Sequence, residues 1–506
     1  MILPNGGKTL MLSSPSAAVA PPARRARLGP HLVLGTIVAL GLALLWWARG
    51  GWVFPLDDAY ITLHNARVLI EGRDPNYGVS ALVGATSLLH LALVTAFGLV
   101  LPGEAASYLV AAAGLVLFLT GLLTLARRMG LRWPESVALA LVGPMSGATQ
   151  FLNGLETGLV MAAVTWLLVL ALNGPSRRLA LACGLLPFLR PELGLLSLAL
   201  MARQAWHRLA AGPDRAAALR AIAADAAMAL TAATPWLAWS FVETGTVLPQ
   251  TMAAKQAFFG SSSLGQPTAL ALAAFLILAG LGPVAVALPF LGRDTLALAL
   301  WSFVALFALG FGLTAPSLLA HNEHRYTFAL LPVALFALMR LGALRGPRLL
   351  HLVVLAQGVM GVVHPPDITA GQKRVAQYQG IARWAQANLP PQARVLIHDA
   401  GVIAYTSDLP LTDLVGLKSP GSVADHRRWT APSGGAERFR AVDAIAQREH
   451  ATHAIILDDA PDRFWGTLAD DLRRAGWRLD PPDTAVANSP YTLYRLTPPD
   501  GPIPDP

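Results

Sequence analysis

Residues 105–126 read AASYLVAAAGLVLFLTGLLTLA, without one charged side chain, and Arg127 and Arg128 follow directly. A helix rises about 1.5 Å per residue, so this run is long enough to cross the roughly 30 Å hydrocarbon core of a bilayer. Working outward, further apolar runs approach the roughly 17–25 residues that a span needs. They lie near 31–48, 135–151, 155–173, 226–243, 268–290, 295–315, 326–344 and 348–364. Two shorter runs, 178–189 and 192–206, meet at Phe188–Leu189–Arg190–Pro191–Glu192 and read as two short helices joined at a break near one membrane face. The pattern predicts an all-α polytopic membrane domain over 31–365 with about eleven crossings.

Composition agrees. The chain of 506 residues is 54% hydrophobic and 13% charged, with a mean hydropathy of +0.50. The net charge of +8 would point to nucleic acid in a soluble protein. Here the basic residues sit mostly in short loops between apolar runs, so nucleic acid is not an expected partner and membrane lipid is. Residues 1–30 are rich in Pro, Ser and Ala, carry Arg24, Arg25 and Arg27, and read as a disordered cytoplasmic segment ahead of a retained signal anchor. Cys183 is the only cysteine, so no intrachain disulfide can form.

The run Thr86–Leu101 decides sidedness. If it does not span, one face collects Arg24–Arg27, Arg127–Arg132, Arg177–Arg178, Arg203–Arg220, Arg293 and Arg340–Arg348. The other face keeps Arg49, Arg67, Arg73, Arg190, Lys255 and Arg325. That asymmetry is the one an inserted protein shows, with the basic face cytoplasmic. Thr86–Leu101 is therefore expected as a juxtamembrane or re-entrant helix in a first outer loop, 49–105. The last span then delivers residues 370–506 to the outer face. There, strands at Ala393–His398 and His453–Leu457 alternate with helical patterns at Gln372–Asn388, Glu437–Glu449 and Arg463–Gly476. This predicts an extracytoplasmic α/β domain. Asp399–Ala400–Gly401 after a strand is too weak a pattern for a nucleotide site.

Five polar clusters share the outer face: Asp57–Asp58, Asn153–Glu156, Arg190–Glu192, Pro249–Lys255 and His321–Arg325. Asp57, Tyr60, His64, Arg67 and Glu71 recur at helical spacing and form one polar stripe. A carboxylate there, beside a second one, has the raised pKa that suits a general base; the plainer reading is helix capping by acidic residues. Lys255, Arg325, His321 and His324 converge from outer loops, either to hold a phosphate leaving group or to touch lipid headgroups. Arg190 and Glu192 at a helix break form either a structural intramembrane ion pair or a cavity wall, and Glu156 is open in the same way.

These motifs together resemble the bacterial GT-C type membrane glycosyltransferases that use polyprenyl-phosphate sugars. The resemblance rests on Asp57–Asp58–Ala59–Tyr60–Ile61–Thr62–Leu63 with Asn65–Ala66–Arg67, Glu71–Gly72 and Asn76–Tyr77–Gly78, then Val83–Gly84–Ala85–Thr86–Ser87–Leu88–Leu89. It continues through Gly154–Leu155–Glu156–Thr157, Leu189–Arg190–Pro191–Glu192, Leu248–Pro249–Gln250–Thr251 to Lys255, Arg325–Tyr326 with Pro332, and His398–Asp399–Ala400–Gly401 to Asp413–Leu414–Val415–Gly416–Leu417. His64 and Asn65 replace a more usual aromatic and basic pairing, and Leu155 and Gln250 replace Met and Asn.

The resemblance implies an integral, multi-pass protein of the bacterial inner membrane. It implies an inverting hexosyl- or pentosyltransferase that moves a sugar from a polyprenyl-phosphate donor to a glycan, lipid or protein acceptor. Asp57 or Asp58 would be the base, with the stripe favouring Asp57. Lys255, Arg190 and Arg325 would hold the donor phosphate, and Tyr60, His64, Arg67, Glu156, Glu192, His321 and His324 would contact substrate. No metal or other cofactor is implied. The alternatives are a transporter or flippase of a lipid-linked sugar and a non-catalytic membrane scaffold. Transporters place their polar residues near the midplane, which only Arg190–Glu192 fits.

Overall fold

The computed structural model describes residues 34–36, 39, 53–145, 147–259, 264–363, 368–457, 467–480 and 491–499. The expected segment 1–30, most of the expected span 31–48, and Arg49 lie outside them.

The first described helix, α1 (Asp57–Glu71), opens with two acidic residues and ends at Gly72. Gly72 adopts φ 73° and its N–H bonds back to the Val68 carbonyl. That left-handed cap is one which glycine enters without steric cost. The next helix, α2 (Leu88–Gly98), is apolar but only about 16 Å long at 1.5 Å per residue, too short to cross.

Among the described residues, four helical stretches are long and apolar enough to cross a membrane: Gly103–Arg128, Arg215–Thr244, Gln266–Leu291 and Thr295–Thr314. The shorter apolar helices Thr157–Ala171 and Pro347–Met360 accompany them. The expected run 135–151 is not one helix. It is described as Trp133–Met145 and Ala148–Leu152, and ahead of the second Gly147 leaves helical geometry at φ −150° and ψ 37°. The expected break at 188–192 is present, as Arg177–Leu185, a 3₁₀ turn Leu186–Phe188, and Leu193–Ala210. Gly103–Arg128 packs along Thr157–Ala171, and Arg177–Leu185 along Arg215–Thr244. On the outer sides, Leu230, Phe241, Phe275, Leu298 and Leu355 stay exposed, as side chains facing lipid do.

From Ile368 the chain builds an α/β unit. A five-stranded sheet takes the order β2-β1-β3-β5-β4, from β1 (Val395–Ile397), β2 (Leu411–Asp413), β3 (His453–Leu457), β4 (Arg478–Asp480) and β5 (Tyr491–Thr497). The β1 strand pairs in parallel with β2 and β3, whereas β5 runs antiparallel to β3 and β4. Helices Ile368–Asn388 and Arg438–Arg448 lie close to expectation; the expected helix 463–476 is seen as Leu468–Arg474, and 458–466 fall outside the described residues. Side chains alternate across a strand, so each strand serves two cores. Val395, Ile397 and Ile455 join the membrane-side core that includes Phe54, Tyr60 and Leu63, while Leu396, Ala454 and Ile456 face a separate core under Arg438–Arg448. One apolar core therefore runs from the helices into the sheet.

Candidate active site

Successive helical residues are turned by about 100°, so the two adjacent aspartates of α1 face different neighbours. Asp58 lines a polar cavity together with Thr62, Asn65, Thr86, Glu156, Lys255 and Arg325. Its Oδ2 lies 2.9 Å from Nη1 of Arg325, accepts a hydrogen bond from Nδ2 of Asn322 at 2.9 Å, and lies 3.8 Å from Nε2 of His321. Burial opposes its ionisation, but Arg325, Lys255 and His321 together outweigh that and hold the carboxyl well below the usual carboxylate range.

Asp57 points the other way. Its Oδ2 accepts from the Gly401 N–H at 2.9 Å and its Oδ1 from the Val402 N–H at 2.7 Å, at the start of the short helix Val402–Thr406. The approach is close: a Cβ on Gly401 would stand 2.1 Å from the Asp57 carbonyl oxygen. Burial, then the nearby Asp399, push the Asp57 carboxyl well above its usual range.

The polar stripe follows Asp57 and not Asp58. Tyr60 is fully buried, packing edge-on against Phe54 and at a tilt against Tyr405. His64 bonds Oδ1 of Asn76 at 3.0 Å, and Asn76 donates to the Ser407 and Leu409 carbonyls at 2.9 Å. Arg67 donates to the carbonyls of Tyr405 and Ala404 and pairs with Asp408. The structure thus places Tyr60, His64 and Arg67 on the seam with the α/β unit, while the cavity wall is Asp58, Ile61, Thr62 and Asn65 at i, i+3, i+4 and i+7.

The three cations expected around a phosphate do come together, on a residue that sequence reasoning did not single out. Tyr326 receives hydrogen bonds on its hydroxyl from Lys255 Nζ at 3.2 Å and Arg325 Nη2 at 3.3 Å. The guanidinium of Arg190 lies 4.3 Å above its ring. Electron-rich ring and hydroxyl together offset three converging positive charges. Arg190 also pairs with Glu156 at 2.7 Å and Glu192 at 2.5 Å, so both carboxylates are spent on it. Nε of Arg325 is buried and has no hydrogen-bond partner among the described residues.

The loop that carries Asn322 is wound the wrong way. Asn322, Glu323 and His324 have φ of 49°, 57° and 61° in succession. Left-handed backbone costs L-residues roughly 1–2 kcal/mol each. Gln150 steadies the loop by donating to the Asn322 and Glu323 carbonyls at 3.1 and 3.2 Å. His321 reaches Asp58, whereas His324 turns toward Gly280 and keeps a buried, unpartnered Nδ1. Among the described residues no three His, Cys, Asp or Glu side chains gather as a metal site.

More apolar space adjoins the polar cavity. Ala85 and Thr86 also line a second cavity bounded by Leu88, Pro187, Phe188 and Leu237. Pro187, Phe188 and Leu237 are shared in turn with a third, between the helices Arg177–Leu185, Leu193–Ala210 and Arg215–Thr244.

A family model described as a domain of unknown function (DUF8728) matches residues 367–494, the α/β unit. No curated protein matches the chain. Two crystal structures of ArnT from Cupriavidus metallidurans share the fold. The one bound to undecaprenyl phosphate has a TM-score of 0.52 at 15% identity, covering 93% of this chain and 98% of that one. The apo structure has a TM-score of 0.50 at 14% identity, covering 92% and 98%. The chain shares the fold of these two structures over nearly its whole length.

Proposed function

We propose that this GT-C chain is an inverting membrane glycosyltransferase that takes a sugar from a polyprenyl monophosphate and delivers it to an acceptor hydroxyl, with Asp58 as general base. One observation carries the reading: the Asp58 carboxyl shares one cavity with Lys255 and Arg325, which together with Arg190 surround Tyr326. A sugar phosphate seated there has its leaving oxygen on the cations and its anomeric carbon within reach of a base.

The acceptor oxygen attacks the anomeric carbon as the bond to the phosphate oxygen breaks. The acceptor proton passes to Asp58, and the electron pair of the broken bond stays on the polyprenyl phosphate, held by Lys255, Arg325 and the Tyr326 hydroxyl. The free Arg325 Nε supplies one more donor for a phosphate oxygen. Arg325 also couples the two halves of the reaction. In the empty cavity it clamps Asp58; a bound phosphate competes for that guanidinium, and Asp58 becomes more basic as substrate arrives. The apolar groove past Thr86 suits a prenyl chain, and ArnT bound to undecaprenyl phosphate, a GT-C relative in fold, supports a carrier of that class. The protein would be integral to the bacterial inner membrane, with its N-terminus cytoplasmic and its α/β unit on the opposite face. Arg190 would serve the site by aligning Glu156, Glu192 and Tyr326.

The test is release of polyprenyl phosphate by purified protein in nanodiscs, given a panel of polyprenyl-phosphate sugars and an envelope extract as acceptor source. Release by wild type that disappears in Asp58→Asn upholds the reading. Binding of lipid-linked sugars with no release, for every donor, would replace it with transport.

A further inference from the structure

Lys418 enters the first loop from the α/β unit and is fully buried there. The turn that delivers it is built on Asp413, whose carboxylate accepts the backbone N–H of Val415 at 2.8 Å and of Lys418 at 2.9 Å. The ammonium donates to Oδ1 of Asn65 at 2.7 Å and to the Val83 carbonyl at 3.0 Å, and lies 3.7 Å from Oδ2 of Asp74. An ammonium has three donors and no acceptor; two of the three are hydrogen-bonded here, and Asp74 Oδ2 faces the charge as an ion pair beyond hydrogen-bond distance.

The consequence falls on Asn65. An amide facing a donor-only group must present its oxygen, which fixes the orientation of the other end. The Nδ2 carries two N–H groups, and among the described residues it meets one acceptor, the Val83 carbonyl at 3.4 Å. Asn65 lies on the cavity wall, two helical turns or about 10 Å along α1 from Asp58. Leu417, the residue before Lys418, lines the same cavity.

We propose that Asn65 donates a hydrogen bond to a hydroxyl oxygen of the sugar held in this cavity, and that Lys418 is the positioning residue that locks the amide for it. This rests on the transferase reading above. The α/β unit then sets sugar preference without touching the sugar through its lysine. A site that presents a fixed donor favours a substrate with an oxygen at that point over one lacking it.

The experiment uses the full chain in detergent. Affinity is measured for the polyprenyl-phosphate sugar that wild type turns over and for bare polyprenyl phosphate. Asn65→Asp keeps the shape and the contact to Lys418 but removes the donor. It should cut the preference for loaded over bare carrier about tenfold, the size of one net hydrogen bond. Lys418→Met frees the amide and should narrow the same ratio, whereas a loss of stability alone lowers both affinities together. An unchanged ratio with a raised KM for acceptor would assign the hydroxyl to the acceptor sugar. If Asn65→Asp keeps both the ratio and the acceptor KM while wild type turns over, the inference is overturned and the transferase reading stands. Absence of turnover by wild type would overturn both.

Discussion

Asp57 and Gly401 are held together as a carboxylate and the N–H group it accepts, 2.9 Å apart, across the seam between the first described helix and the α/β unit. Its neighbour Asp58 makes its bonds on the other side, inside the cavity. Two adjacent acids thus make different contacts, one joining the two parts of the protein and the other facing the cavity.

Replacing each in turn separates these roles. Asp58→Asn should lower the rate of polyprenyl phosphate release about a hundred- to ten-thousand-fold, the contribution of a general base. Asp57→Asn retains an oxygen acceptor for one of the two N–H groups. It should change the rate only a few-fold and lower stability by about 1 kcal/mol, as the loss of a helix cap does. Kinetics and thermal unfolding of the two variants side by side decide the assignment.

Arg325 should set the acidic limit of the reaction. Because it holds the Asp58 carboxyl well below its usual range, the base stays ionised throughout mildly acidic conditions. Arg325→Met removes that positive charge, the pKa moves up, and activity should begin to fall at a higher pH than in wild type. A pH–rate profile with unshifted acidic limbs would mean that Arg325 does not control the base.

Arg190 is bound on both sides by carboxylates, the buried Glu156 and the half-buried Glu192, so Arg190→Met leaves both uncompensated. Breaking a buried pair in this way costs roughly 3–5 kcal/mol. Folded yield should collapse in Arg190→Met and recover in part when Glu156→Gln and Glu192→Gln are added. Monodispersity on gel filtration reads this without any assay of transfer.

Glu323 offers a stabilising change. Its φ of 57° sits in a left-handed run where glycine bears no Cβ penalty. Glu323→Gly should gain roughly 1 kcal/mol of strain relief, offset in part by the extra freedom of the unfolded chain. The melting temperature should hold or rise. A fall of several degrees would show that the Glu323 side chain itself supports the loop.

Lys418 makes stability depend on alkaline pH. Burial lowers its pKa from 10.5 to about 8 in the folded protein. Between those values the unfolded chain binds more protons than the folded one, so this group's contribution to stability rises with pH through that window. The gain totals on the order of 3 kcal/mol. Wild type should gain on Lys418→Met in thermal stability between pH 8 and 10.

Much of this was legible in the chain itself. Span-length apolar runs carry their own reason, because a bilayer admits only backbone that satisfies itself. The break at Arg190 and the strands at 395–397 and 453–457 follow from local pattern, whereas the helix after Thr86 is read as non-spanning from the distribution of basic residues over the whole chain. The three cations were legible as loop charges on one face. What helical spacing could not say is which side of a helix meets which neighbour. Asp57, Tyr60, His64 and Arg67 do form a stripe, but it is spent on the α/β unit, and the cavity belongs to Asp58, Thr62 and Asn65. Nor could spacing bring Lys418 to Asn65 across 353 positions, or set Tyr326 among Lys255, Arg325 and Arg190. Periodicity fixes what one helix can present, whereas the choice among its faces is made by the packing energy of elements distant in sequence, and only the folded chain contains that term.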